Sequence, residues 1–454
     1  MTRRLITLVA AVLLVTAGLY AQAADAEGAG FEIGGGVSLG VDNIPNADGT
    51  NTSWNVLGFQ PDLAIGNFGI GLDLTLRFQI MPDQNTPFAV YLGDWLPNYE
   101  ENGRNILDIY LPKIQFVRYG YQGDPLYVKL GSIEDLTLGT GFMMGNYANT
   151  RFLPEQRLFG ASFRLDGSLF NFPWVGIEAL TGNLARLDVI GARLFARPLI
   201  SLELPIIKNV QIGGSFITDR DPALYRPDIV TTLDPIFIYS ADVMLPILGG
   251  DLFPLAAFTE VAFEPNGSTG FMVGAGGRLV KFITYGAQLR LLQAGFMPNY
   301  FDPNYDLYRA EKALVMQAAI SGEDSAAWFA SLGTSLFEDK VVFNVNMAGT
   351  FAANPDPRSD NPALYPHIRA VAILEEGLVG GFSFEASYDK YFLGRDRNFF
   401  ADLIDPNDAI ITAAINYSTG GAMFTLLYNL TYNPELAGPN MFEITSSLST
   451  SIRF

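Results

Sequence analysis

The sequence predicts an all-β fold: a single transmembrane antiparallel β-barrel of about 20 strands, with counts from about 18 to about 22 fitting its turn pattern. Three observations predict it. Apolar and polar residues alternate along one segment after another, as strands between an oily and a wet environment must. In the segment 68–80, Phe68, Ile70, Leu72, Leu74, Leu76, Phe78 and Ile80 share one face, and Gly69, Gly71, Asp73, Thr75, Arg77 and Gln79 share the other. Hydrophobic residues make up 49% of the chain, yet beyond Leu19 there is no run of about twenty apolar residues. That pattern excludes transmembrane helices and suits a membrane barrel. The closing segment, Met441 to Phe454, alternates as well. Phe442, Ile444, Ser446, Leu448, Thr450, Ile452 and Phe454 form a mostly apolar face against Glu443, Thr445, Ser447, Ser449, Ser451 and Arg453.

The elements follow in order from the N-terminus. Arg3 and Arg4 precede an apolar stretch from Leu5 to Leu19, and Ala21-Gln22-Ala23 supplies small residues for cleavage. Residues 1–23 therefore read as a secretory signal peptide, and 24–454 as the barrel. Alternation begins at Phe31, which leaves no room for an N-terminal plug or a peptidoglycan-binding module. Clear strands lie at 31–40, 68–80, 283–291, 341–351, 422–432 and 441–454. Less regular ones are expected at about 53–66, 105–119, 126–138, 157–169, 173–182, 187–197, 209–218, 235–246, 254–264, 269–280, 326–337, 367–374, 380–393 and 409–418. Short turns such as Gly66-Asn67, Gly249-Gly250-Asp251 and Gly420-Gly421 alternate with long polar loops near 82–104, 139–156, 219–234, 298–311, 354–366 and 394–408. Long loops are expected outside the cell and short turns in the periplasm. Both chain ends then lie on the periplasmic side, so the strand count must be even. The helix-forming run Ala310 to Ile320 would spoil that parity as a strand. The simplest solution is one long loop over 298–325 that holds a short helix. Loop 82–104 or loop 139–156 would narrow the lumen by folding inward.

Composition removes several function classes. There is no cysteine, so neither disulfides nor thiolate metal sites occur. The formal net charge is −19, and loss of Arg3 and Arg4 with the leader takes it to about −21. Nucleic acid is excluded as a partner, because phosphate contacts need a basic surface. The single histidine, His367, stands at a loop-to-strand junction with no catalytic pattern around it and reads as a rim residue. The acidic runs Asn46-Ala47-Asp48-Gly49 and Asp302-Pro303-Asn304-Tyr305-Asp306 offer oxygens to Ca²⁺ but lack EF-hand spacing, and solvated turns are the favoured reading. No enzyme activity and no cofactor is expected. Aromatics near strand ends, among them Tyr110, Tyr119, Tyr388 and Tyr417, suit an interfacial girdle.

Charged residues on polar strand faces are the candidate pore lining. They are Asp73, Arg77, Arg164, Asp166, Glu260, Arg278 and Arg290. On the lipid face an arginine would cost roughly 2–4 kcal/mol at the midplane. Their placement towards the lumen leaves two roles open: a transverse field at a constriction, or a salt-bridge network that props the wall.

The amphipathic final strand with its terminal Phe454 resembles the C-terminal strand of bacterial outer-membrane β-barrels. With the leader, it makes the chain similar to porin-type barrels as a class. That resemblance implies the cell outer membrane as location, outer-membrane lipid and small solutes as partners, and Phe454 as the assembly signal read by the barrel-assembly machinery. A homo-oligomer stays open. The expected function is passive diffusion of small hydrophilic solutes. One alternative is a transporter of hydrophobic compounds resembling the long-chain fatty-acid transporter family, whose members carry an N-terminal hatch for which this chain has no space. Another is a surface adhesin or structural barrel with acidic loops.

Overall fold

The computed structural model describes residues 31–453, apart from 46–49, 84–85, 100–102, 203, 205, 227–228, 230–231, 251, 321, 338–339, 352–364, 396–397 and 433–441. The leader, Phe454, Asn46 to Gly49 and the loop run at 354–364 lie outside the described residues. The strands are β1 (Phe31–Pro45), β2 (Asn51–Ile65), β3 (Phe68–Leu72), β4 (Leu74–Asp83), β5 (Thr86–Val90), β6 (Ile114–Tyr119), β7 (Leu126–Gly131), β8 (Gly160–Asp166), β9 (Val175–Thr181), β10 (Val189–Ala196) and β11 (Gln211–Asp219). They continue as β12 (Ile236–Leu248), β13 (Leu255–Phe263), β14 (Thr269–Leu279), β15 (Ile283–Leu292), β16 (Ser325–Leu336), β17 (Val341–Thr350), β18 (His367–Val379), β19 (Phe382–Lys390), β20 (Ala409–Thr419), β21 (Ala422–Tyr432) and β22 (Phe442–Arg453). Among the described residues, three short α-helices sit in connections: α1 (Ile106–Tyr110), α2 (Tyr305–Gln317) and α3 (Phe399–Leu403).

Each segment pairs antiparallel with its neighbour, and β22 returns to β1 with Val37 opposite Ile452 and Val41 opposite Leu448. The sheet is thus closed into a ring, the arrangement hydrocarbon demands of spanning strands. The ring has 20 positions, because two of them are each built from two segments. β3 and β4 are one strand interrupted at Asp73, and β2 pairs with both. β5 pairs with β4 and β6 pairs with β3, so β5 and β6 also stack into one descending strand. The chain leaves the wall between them, over residues 91–113, and re-enters it.

The alternation reads out as a two-sided wall. On the outside, Leu39 is 61% exposed and Leu194 64%, joined by Phe216, Leu289, Leu291, Leu332 and Phe343. Between them on the other face are Asp42, Arg193, Asp242, Glu260 and Arg290, all buried. The apolar outside and closed ring make this a membrane-spanning β-barrel. The long connections cluster at one end of the barrel. The hairpins at Gly66-Asn67, Gly380-Gly381 and Gly420-Gly421 lie at the other, with the ends of β1 and β22.

Two expectations are corrected. Residues 105–113 are helical rather than strand. Asn105 caps α1, accepting from the amides of Leu107 and Asp108, while Asp108 accepts from the Asn105 amide, a reciprocal capping box. The upper half of that wall strand is instead Thr86–Val90, inside the expected loop. The inward glycines also do not all face water. Gly71 lies opposite Phe116, whose ring covers it so closely that a Cβ there would stand 2.7 Å away. Gly176 is covered by Phe195 in the same manner. Inward aromatics thus seat on cross-strand glycines, which fills wall space with apolar surface.

Candidate functional site

The lumen is narrowed from the long-loop end by three inward-folded segments: 91–113, 132–159 and 293–324. The latter two share an apolar core with the upper inner wall. Phe142, Met143, Met144 and Tyr147 from one, and Phe296, Met297, Tyr300, Phe301, Tyr305 and Met316 from the other, pack against Leu180, Val189, Ile217, Ile236, Ile238 and Met272 of β9–β14. The Phe142 and Phe296 rings stack at 5.4 Å. This cluster encloses a charged centre. Arg309 of α2, 1% exposed, donates from Nη1 to Asp188 at 2.6 Å and from Nη2 and Nε to Asp219 at 2.5 and 3.0 Å. The Tyr305 hydroxyl donates to Asp219 at 2.6 Å, and the Tyr147 hydroxyl to Asp306 at 3.1 Å. Burial pushes the Asp306 carboxyl up to about 7 even with Arg309 close by. Lys312, one turn along α2, bonds Asp302 at 2.7 Å. Asp302 and Asp306 of the acidic run are therefore held by the protein's own side chains, and among the described residues no acidic or histidine group gathers as a metal site.

The charges singled out in the sequence divide by environment. Arg77 is buried and donates from Nε to Asp42 at 2.9 Å, from Nη1 to Asp94 at 2.9 Å, and from Nη2 to the Pro154 carbonyl. One guanidinium thus ties two inward-folded segments to the wall. Asp73 lies 2.6 Å from Arg157 Nη1, close in distance though the N–H does not point along the contact, and accepts from Thr75. Glu260 accepts from the Thr140 hydroxyl of the inward loop. Arg164 makes only a loose pair with Glu178, at 3.9 Å. Asp166 is bound by Arg197 at 2.6 Å and caps the turn that follows β8, so it stands at the short-turn rim. Arg278 is exposed beside the β14–β15 turn and makes no ion pair among the described residues. Arg193, which alternation places inward but which was not singled out, holds Asp242 at 2.7 Å.

Arg290 is different. It is 4% exposed, and its Nε and Nη2 both donate to Gln288 Oε1, at 2.9 and 2.7 Å. Its guanidinium lies 5.0 Å from the Phe329 ring centre and 5.7 Å from that of Phe142. It lines a lumenal recess of about 1200 Å³, open solvent included, bounded by Thr137, Asn146, Asn299, Asn346, His367 and Arg369. His367 stacks on Tyr391 at 4.3 Å and lies 3.4 Å from Asp389, which also holds Arg369 at 3.1 Å. A second recess, of about 980 Å³ with open solvent included, lies beside Arg77 and is lined by Ser38, Asp42, Gln60, Arg104, Ser447 and Ser449.

No family model and no curated protein sequence matches the chain. Solved structures do. Acinetobacter baumannii OccAB3 aligns at 11% identity over 93% of this chain and 99% of its own, with a TM-score of 0.37. Pseudomonas aeruginosa OccK8 (OprE) aligns at 9% identity over 93% and 98%, also at 0.37. Acinetobacter baumannii CdiB aligns at 8% identity over 93% of this chain, with a TM-score of 0.29, and the chain spans only 60% of its length. Likenesses at this level carry no argument about what passes through the barrel.

Proposed function

We propose that this barrel is an outer-membrane channel through which small hydrophilic solutes diffuse passively, along a lumen narrowed by inward-folded loops. The observation that carries the reading is a wall of 20 strands with polar recesses left beside the inward segments. Barrels of about 16–18 strands already enclose an aqueous channel, so this circumference leaves water space that the inward loops reduce. Asp73, Arg77, Arg164, Glu260 and Arg290 are the proposed lining of that path, with Asp166 and Arg278 at its short-turn mouth. The same reading takes residues 1–23 as a cleaved leader, Phe454 as the signal for barrel assembly, and the long-loop end as extracellular. Purified full-length protein in planar bilayers is expected to give discrete conductance steps in potassium chloride. Correctly folded, heat-modifiable protein that never conducts would reject the channel.

A further inference from the structure

Segments 132–159 and 293–324 bury their large apolar side chains inside the lumen. The connection 391–408 carries a helix that lies on the other side of the wall. Along β19, Asp389 faces the lumen, where it holds Arg369. Tyr388 and Lys390 therefore stand on the outer face, in line with the exposed Phe382 and Phe384. Both side chains reach the α3 segment. The Tyr388 hydroxyl donates to the Leu403 carbonyl at 2.7 Å. The buried Lys390 ammonium lies 3.2 Å from Asp402 Oδ1 and donates to the carbonyls of Asp405 and Asn407. A lysine on the outer face is costly unless its charge is met there, and α3 supplies the carboxylate. Helix α3 is thus fastened to the outside of the barrel at the long-loop end. Its free side is apolar. Phe400 and Ile404, four residues apart and so on one side of the turn, are 77% and 85% exposed, the two most exposed large hydrophobic side chains among the described residues. Asp402, between them in sequence, is buried, and its Oδ2 accepts from the Gly394 amide at 2.6 Å.

We propose that α3 is an interfacial helix whose Phe400 and Ile404 insert among the acyl chains of the membrane leaflet at the long-loop end. The occupant is lipid because the helix continues a surface that already meets lipid. Along β19, Phe384 and Phe382 follow Tyr388 towards the short turns, and Phe384 lies opposite the exposed Ile415 of β20. Large apolar side chains opposite a polar face let a helix lie at the boundary between headgroups and acyl chains. Inserted there, α3 covers Lys390 and ties to lipid the connection that carries Tyr391, the ring stacked on His367 at the lumenal recess. This assignment goes beyond the channel reading and does not depend on whether the barrel conducts.

The chain has no cysteine, so a single nitroxide label reports on one position. Full-length F400C and I404C are spin-labelled and reconstituted at high dilution in phosphatidylcholine vesicles. E323C, on the exposed connection before β16, is the water reference, and L289C, on the lipid-facing wall, is the lipid reference. Power saturation compares collisions with oxygen, which concentrates among acyl chains, and with a water-soluble nickel chelate. F400C and I404C are expected to give an oxygen-to-nickel ratio several-fold above that of E323C and closer to that of L289C. A ratio equal to that of E323C at either position, in correctly folded protein, overturns the insertion. Dipolar broadening between labels would place a second copy of the chain on the helix and overturns lipid as the occupant. Should F400C fail to fold, I404C decides alone.

Discussion

At the scale of single residues, Asp306 shows how the inward-folded segments use charge. Its carboxyl lies among the Tyr147 hydroxyl, Arg309, Asp188 and Asp219, and burial raises it from 3.8 to about 7. A group with a raised folded-state value binds more protons folded than unfolded between those two pH values. Its stabilising contribution is therefore complete below about pH 4 and is lost as pH rises through about 7. Asp188 and Asp219 are bonded to Arg309, and Asp306 is the carboxyl of this centre whose value burial raises. The expected outcome is a heat-modification midpoint that falls between pH 5 and pH 8 in the unsubstituted protein and falls less in D306N, whose amide does not titrate. Parallel pH profiles for the two proteins would show that Asp306 is not the group responsible.

At the scale of elements, helix α2 is held by its charge as well as by its packing. Arg309 joins it to Asp188 before β10 and to Asp219 at the end of β11, positions 121 and 90 residues away in sequence. Removing one partner of a buried ion pair leaves the others uncompensated and costs about 3–5 kcal/mol. R309M is therefore expected to release α2 from the lumen and raise single-channel conductance, with the strands still paired. Native conductance from R309M would show that apolar packing alone keeps the helix in place. Legibility in the sequence divides along the same line. Wall strands were readable because one face meets lipid and the other does not, which imposes a period of two from 31 to 453. The loop helix was readable from the helix formers in Ala310 to Ile320, and an inward fold was expected of loop 82–104 or loop 139–156, whereas the inward course of the segment around α2 was not expected. The false strand at 105–113 arose because Leu107, Ile109 and Leu111 also alternate, whereas the capping pair Asn105 and Asp108 was the contrary signal. Thr86–Val90 is too short to announce itself beside a loop. The shared core of Phe142, Met144, Phe296 and Phe301 has no period at all, since loop side chains take their partners from the fold. Among the candidate charges, inward placement followed from alternation. That Arg77 would be tied to Asp42 and Asp94 while Arg290 stands without a carboxylate could not follow, because each pairing joins distant strands or loops.

At the scale of the whole molecule, two fields of opposite sign act on a permeating ion. The chain carries −19, and exposed acidic loop residues such as Asp221, Glu323 and Asp324 lie at the long-loop end, where they raise the local concentration of cations. Inside, most charges are neutralised in pairs, and among the described residues Arg290 is the buried arginine without a carboxylate. The mouth field reaches through water and is screened over about 10 Å at 0.1 M salt and about 3 Å at 1 M. The field of a buried guanidinium is screened much less. The balance should therefore change with salt. Reversal potentials across a potassium chloride gradient are expected to show a mild cation preference near 0.1 M that shrinks, or gives way to anions, near 1 M. R290Q should keep the preference at low salt and hold more of it at high salt. A cation preference of equal size at both concentrations would place the selective charges inside the lumen, and the contribution assigned to the mouth would be wrong.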